Sequence, residues 1–264
     1  MAQIAVAAAA PFGADVLERL VAEHDVEYLL TRPDRPRGRG RQVGPPPAKE
    51  VAERLGIPVR QPELLDDSFD PGVDTVVVVA YGSLVPTSLL QRARWLNVHP
   101  SLLPRWRGAA PVERALMAGD EQSGVTVIEL VEELDAGPIA AQQAFLVGGD
   151  DNAGAVFAKA AEATPALVAA ALANPRPAPQ PAEGVTYAEK IGPGDRELDW
   201  SRPPQELHNR IRALAPRIGA RGEVDGRPLI VWRSRLVDGR LELLEVQLEG
   251  RRRMSYEEYL RGRR

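Results

Sequence analysis

Asn97 and His99 stand two residues apart in Leu96-Asn-Val-His-Pro100, and Asp135 lies in Glu132-Glu-Leu-Asp-Ala-Gly-Pro138. In an extended segment, side chains two apart emerge on one face. An amide donor beside an imidazole polarises a carbonyl and steadies the charge that develops on its oxygen. A carboxylate orients or charges such an imidazole. Each residue alone also reads as structural: Asn97 as a turn residue, His99 as a packed side chain, Asp135 as part of a hairpin. Together, on loops at strand ends, they point to acyl or one-carbon transfer.

The surrounding pattern predicts the frame for such a site. Strands are expected at Ile4–Ala10, Val26–Leu30, Thr75–Ala80, Leu96–Val98, Val125–Leu130 and Ile139–Val147. Helices are expected at Ala14–Glu23, Ala48–Leu55, Leu84–Ala93, Pro111–Ala118 (ended by Gly119) and Ala153–Ala173. Thr75–Ala80 is an unbroken β-branched run, the pattern of a strand buried on both faces. Strand–helix alternation indicates an α/β, mostly parallel sheet with right-handed crossovers. Sites in such sheets form on loops leaving the carboxyl ends of strands. Asn174–Gly184 is Pro/Ala-rich and reads as a semi-rigid linker. A small module follows, with a helix at Leu207–Leu214, strands at Leu229–Val237 and Leu241–Leu248, and turns at Asp225-Gly226 and Asp238-Gly239. Ser255 with Glu258 has capping-box spacing. The expected division is 1–184 and 185–264.

The 264 residues are 44% hydrophobic and 27% charged, which excludes wholesale disorder. The absence of Cys excludes disulfides, thiolate metal sites and a Cys nucleophile, and fits a reducing cytoplasm. A poly-histidine metal site would need all three of His24, His99 and His208. The apolar N-terminal run has no Lys or Arg before it and is too short for a span, so it reads as a first strand, with no membrane partner expected. The net charge is -4, but 15 Lys+Arg against 9 Asp+Glu fall between Arg202 and Arg264. A second basic run holds Arg32, Arg35, Arg37, Arg39 and Arg41 against Asp34 alone. Such asymmetry fits either solvated segments or a polyanionic partner.

The stretch NVHPSLLPRWRGAAPV, residues 97–112, resembles the signature of the folate-dependent formyltransferases. Further similarities follow in order along the chain: Arg32–Gly40, Val79-Ala-Tyr-Gly82 with Pro86, Gly124-Val-Thr126, Leu134–Pro138, Thr186–Lys190, Asp199-Trp200 and Gln247–Tyr259. As a set they resemble the branch of that family that acts on methionyl-tRNA. The resemblance implies a Rossmann-like α/β catalytic domain followed by an OB-like β module. It implies 10-formyltetrahydrofolate as formyl donor, the α-amine of methionyl initiator tRNA as acceptor, and a monomeric cytoplasmic enzyme. Asn97, His99 and Asp135 would be catalytic. Ser101, Leu102, Leu103 and Pro104 would border the folate, and Tyr81, Gly82, Leu84, Val85 and Pro86 would wall the pterin. Arg35, Arg37, Arg39, Arg41 and Lys190 would meet the tRNA. No metal is needed, because the amine is already a nucleophile and the folate nitrogen a usable leaving group.

Two departures from the family pattern stand out. Ala8-Ala9-Ala10-Pro11-Phe12-Gly13 replaces the usual Gly-Thr-Pro stretch, and the region between Val237 and Leu241 is a tight turn, so the OB-like tail is expected to be reduced. A short tail also suits a sugar-nucleotide N-formyltransferase using the same donor; the Arg32–Arg41 loop opposes that alternative. Glycinamide ribonucleotide transformylase shares His-Pro-Ser-Leu-Leu-Pro but has no basic C-terminal module. A non-catalytic RNA-binding protein on the same scaffold would not need Asn97, His99 and Asp135 intact.

Overall fold

The computed structural model describes residues 2–37 and 42–262. They form two compact units. One takes residues up to Arg107 with 124–144 and 158–185; the other takes 108–123, 145–157 and 186–264. The strands through the first part of the chain are β1 (Gln3–Ala8), β2 (Asp25–Leu30), β3 (Arg35–Arg37), β4 (Gln42–Gly44), β5 (Val59–Arg60), β6 (Thr75–Val79), β7 (Arg94–His99), β8 (Arg107–Gly108), β9 (Gln122–Glu129) and β10 (Ile139–Leu146). The helices are α1 (Pro11–Val21), α2 (Pro47–Leu55), α3 (Thr87–Leu90), α4 (Pro111–Ala118) and α5 (Ala153–Ala173).

Seven strands make one mixed, Rossmann-like sheet in the order β10-β9-β7-β6-β1-β2-β5. β1 runs parallel to β2 and β6, and β6 parallel to β7, while β9 returns antiparallel to β7. All five residues of β6 are buried, as its unbroken Thr-Val run requires. α1 starts at Pro11, whose missing N–H costs nothing in a first turn. It buries Phe12, Val16, Leu17 and Leu20. A Cβ at Gly13 would come within 2.5 Å of the Val79 carbonyl and 2.8 Å of Ala8 Cβ, so this glycine lets the helix approach the sheet at backbone distance.

The helix expected over 84–93 is shorter. Pro86 enters it in an extended conformation, and only Thr87–Leu90 close a turn. The arginine-rich run expected as a loop contributes β3, which pairs antiparallel with β4, Arg35 opposite Gly44. β5 is two residues long, too short for any periodicity to reveal. α5 matches its expected bounds. It is long and apolar enough to cross a membrane, with mean hydropathy 1.4. Val156, Ala160, Ala161, Val168 and Ala171 are nevertheless buried, so it is a core helix. Thr164 Oγ donates to the Ala160 carbonyl at 2.7 Å one turn back, just before Pro165. The Pro/Ala-rich stretch after α5 lies along the edge of β10. Ile139 and Ala178 exchange backbone hydrogen bonds of 2.7 and 2.9 Å, and Asn174 Nδ2 donates to the Ala140 carbonyl at 2.9 Å.

The second unit holds β11 (Tyr187–Ala188), α6 (Pro204–Leu214), β12 (Ala220–Val224), β13 (Arg227–Val237), β14 (Arg240–Leu248), β15 (Met254–Ser255) and α7 (Tyr256–Arg261). Strands β12-β13-β14-β15 form an antiparallel sheet. The β12–β13 and β13–β14 turns carry positive φ at both central residues, 50° and 72° in each, which is why Asp-Gly occupies both. α6 packs Leu207, Ile211 and Leu214 with Leu229, Val231 and Val246 of the sheet. The Ser255–Glu258 capping box forms as expected. β12 escapes the sequence pattern because Arg221, Gly222 and Glu223 break its apolar signal.

Candidate active site

β6 and β7 are parallel neighbours, with Val78 opposite Asn97, so both strands end at the same edge of the sheet. At that edge Asn97 and His99 meet one carboxylate. Asn97 Nδ2 donates to Asp135 Oδ1 at 3.2 Å, and His99 Nδ1 lies 3.6 Å from Asp135 Oδ2. His99 is 4% exposed and Asp135 8%, so this pair is shielded from solvent. The other ring nitrogen, Nε2, sits 2.8 Å from the Trp106 carbonyl. A carbonyl can only accept, so Nε2 carries a hydrogen. Nδ1 faces a carboxylate oxygen, which accepts as well. Asp135 has φ of 50° and Trp106 of 66°, left-handed conformations that non-glycine residues adopt at a cost. These two residues are the ones that face the ring nitrogens of His99.

The loop after β7 is held from within. Ser101 N donates to the His99 carbonyl at 2.9 Å, and Ser101 Oγ to the Arg105 carbonyl at 2.7 Å. Thr126, fully buried opposite His99 on β9, donates through Oγ1 to the Ser101 carbonyl at 2.7 Å. The same oxygen accepts from Leu103 N at 3.1 Å and from Gln142 Nε2 at 2.8 Å, which uses the full capacity of a hydroxyl. Gln142 Nε2 also reaches the Leu103 carbonyl at 3.0 Å. A Cβ at Gly124 would overlap Leu102, so that glycine lets the loop lie flat on β9.

The Asp135 loop is anchored at both ends. Glu129 N donates to the Pro138 carbonyl at 3.0 Å, and a Cβ at Gly137 would overlap the Glu129 carbonyl oxygen. Gln180 Nε2 donates to the carbonyls of Asp135 and Gly137 at 2.7 and 2.8 Å. Arg107, 8% exposed, closes on Gln180 Oε1 through Nε at 3.1 Å and Nη2 at 2.8 Å, and on Glu133 through Nη1 at 3.2 Å.

The structure brings Asn97, His99 and Asp135 together, with Ser101 and Leu103 buried beneath the loop and Leu102 and Pro104 half-buried on it. Tyr81 is buried in a cluster that also takes in Val85 and Leu130; burial pushes its phenol pKa up. Gly82, with φ of 73°, and Leu84, 86% exposed, lie on the outer turn before half-buried Pro86. Arg35 and Lys190 are exposed. Arg37 lies in β3, and Arg39 and Arg41 fall outside the described residues. Asp34, the acid in the basic run, is engaged by Lys49 Nζ at 2.9 Å and by Gln61 at 2.8 Å.

Arg107, Thr126, Gln142 and Gln180 were not singled out for a role from sequence. Arg107 and Thr126 lie inside the signature stretches, but nothing in a linear string marks the residues that reach them from β10 and from the Pro/Ala-rich stretch. Among the described residues no three His, Cys, Asp or Glu side chains cluster to hold a metal. His24 is buried without a hydrogen-bond partner on its ring, and burial pushes its pKa down. His208 instead holds Ser234 Oγ at 2.9 Å and the Gly149 carbonyl at 3.0 Å.

Comparison with known proteins places the chain in a family. Residues 2–172 match the formyl transferase family, and residues 190–242 its C-terminal domain. A methionyl-tRNA formyltransferase of Paracoccus denitrificans is 40% identical, covering 95% of this chain and 94% of that protein. One from Heliobacterium modesticaldum is 42% identical over 85% of this chain and 75% of its own. Among solved structures, the Clostridium thermocellum methionyl-tRNA formyltransferase superposes with TM-score 0.64 at 14% identity, over 94% of this chain and 98% of that one. Aquifex aeolicus HypX in complex with tetrahydrofolic acid superposes with TM-score 0.66 at 17% identity over 98% of this chain, which spans 46% of the HypX chain. By its matched domains and its sequence relatives, the chain belongs to the formyl transferase family, among the methionyl-tRNA formyltransferases.

Proposed function

We propose that this chain transfers the formyl group of 10-formyltetrahydrofolate to the α-amine of methionine esterified to initiator tRNA. The observation that carries this is the single buried carboxylate of Asp135 reached by both Asn97 and His99 at the end of β7. Asn97 Nδ2 has two hydrogens. One is spent on Asp135, and the second is available to the formyl oxygen. His99 is steadied at Nε2 by the Trp106 carbonyl, so Nδ1 is the nitrogen that faces the reaction. The amine nitrogen bonds to the formyl carbon and the oxygen takes the negative charge, which Asn97 and His99 stabilise. Asp135 accepts the proton the ammonium sheds. The carbon–N10 bond then breaks, the oxygen's electron pair re-forms the carbonyl, and N10 of the folate leaves with the proton that Asp135 took up, so the carboxylate is restored. Each well-aimed donor to such an oxyanion is worth about 3–4 kcal/mol.

The folate lies against Ser101, Leu102, Leu103 and Pro104, with its pterin toward Tyr81, Gly82, Leu84, Val85 and Pro86. Leu84 offers exposed apolar surface for a flat ring to cover. Arg35, Arg37, Arg39, Arg41 and Lys190 neutralise tRNA phosphates, and residues 185–264 serve as a small tRNA-binding module. The enzyme acts as a cytoplasmic monomer. The test is acceptor choice: purified protein with 10-formyltetrahydrofolate is offered methionyl initiator tRNA or amino-sugar nucleotides at two salt concentrations. Formylation of the tRNA alone, falling steeply with salt, is expected, because phosphate contacts release counterions. Formylation of the sugar nucleotide alone would overturn the proposed acceptor.

A further inference from the structure

We infer that Gln180 is a positioning residue for Asp135, a role that rests on the part given to Asp135 above. Gln180 comes from the Pro/Ala-rich stretch after α5, which composition marks only as a connection. Three features set it apart. Its amide nitrogen donates to two carbonyls of one short loop, those of Asp135 and Gly137, at 2.7 and 2.8 Å. Its amide oxygen accepts two bonds from the buried guanidinium of Arg107. Its approach is fixed by the backbone exchange between Ala178 and Ile139.

A carboxamide is the side chain that donates at one end and accepts at the other, and both ends are used here. The loop it holds carries Asp135 at φ of 50°, a conformation that persists only when the surroundings impose it. Arg107 belongs to the same run as His99, so the clamp ties the loop bearing the carboxylate to the loop bearing the imidazole. Without Gln180, two loop carbonyls lose their donor and Arg107 loses the acceptor that holds its Nε and Nη2. The Asp135 side chain then drifts relative to Asn97 and His99.

The test compares Gln180→Ala, Gln180→Glu and Asn174→Ala in steady-state formylation of methionyl-tRNA, with thermal melts of each. Gln180→Glu keeps an acceptor for Arg107, strengthened by charge, but faces the two carbonyls with no donor. Both Gln180 variants are expected to lower kcat by about 10- to 100-fold, the scale of a misplacement of about 1 Å, with KM for the folate changed by less than about threefold. Asn174→Ala cuts a tether of the same stretch to β10 and is expected to lower the melting temperature with kcat near wild type. If Gln180→Ala fails to fold, Gln180→Glu carries the test. Wild-type kcat in Gln180→Glu would overturn the inference, since it would reduce Gln180 to a partner for Arg107. A loss confined to KM would overturn it too. Asp135→Asn serves as reference: if it is as active as wild type, the part given to Asp135 fails; if it is inactive while the Gln180 variants are not, only the positioning role fails.

Discussion

Replacing Asp135 by Asn changes one oxygen into an amide nitrogen, with nearly no change in volume. In the native site one carboxylate oxygen accepts from Asn97 Nδ2 at 3.2 Å and the other faces His99 Nδ1 at 3.6 Å. An amide can satisfy only one neighbour in the same sense. If its oxygen stays toward Asn97, its NH2 points at Nδ1, which must then be bare. The Trp106 carbonyl already requires the hydrogen on Nε2, so the variant holds His99 in its neutral form with Nδ1 unprotonated. His99 can then neither donate from Nδ1 to the developing oxyanion nor find a carboxylate to balance a charged ring, and the proton shed by the amine has no acceptor. Loss of such a proton-transferring group costs roughly 10²- to 10⁴-fold in kcat, or about 3–5 kcal/mol of barrier. Single-turnover formylation of methionyl-tRNA measures this step, and equilibrium folate binding, read in parallel, is expected to stay within about threefold of wild type. Turnover by Asp135→Asn within about threefold of wild type would refute the reasoning, as would a loss that appears only as weaker folate binding.

Other perturbations probe the parts that support this pair. Thr126→Val keeps the shape of a fully buried side chain but strips three hydrogen bonds, two to the loop after β7 and one from Gln142 of β10; a stability loss of about 2–4 kcal/mol in urea unfolding is expected. Gly137→Ala forces the Asp135 loop off the Glu129 carbonyl by on the order of 1 Å, and kcat is expected to fall about 100-fold while the sheet still melts cooperatively. Burial raises the pKa of Glu113 above its ordinary 4.5, so the folded state holds this proton more tightly than the unfolded chain does. Its contribution to stability is therefore present below pH 4.5 and lost as pH rises through the elevated value, and Glu113→Gln is expected to melt higher at neutral pH. Asp195 is the reverse case. The two bonds from Arg114, 2.7 and 2.8 Å, lower its pKa from 3.8. Its stabilisation is present above pH 3.8 and lost as pH falls through the lowered value, so Asp195→Asn should flatten the acid limb of the pH–stability curve.

Much of this protein follows from the string of residues alone. The unbroken Thr75–Val79 run demanded a strand buried on both faces, and alternation with helices demanded a mostly parallel sheet; both are present. The two-residue spacing of Asn97 and His99 placed them on one face, and they reach the same carboxylate. Asp-Gly pairs marked the β12–β13 and β13–β14 hairpins, because such residues accept positive φ twice in succession. These features are local: spacing, propensity and turn chemistry act over a few residues. Tertiary structure decided what depends on contacts distant in sequence. β5 and β12 exist because a neighbouring strand supplies their hydrogen bonds. Thr126 became the pin of the loop after β7 only because β9 runs antiparallel beside that strand. Gln180 meets Asp135 across 45 residues of chain, and no pattern within the Pro/Ala-rich stretch distinguishes it from its neighbours. A side chain that serves another residue's geometry is identified by where its polar atoms arrive, and that is settled only when the chain has folded.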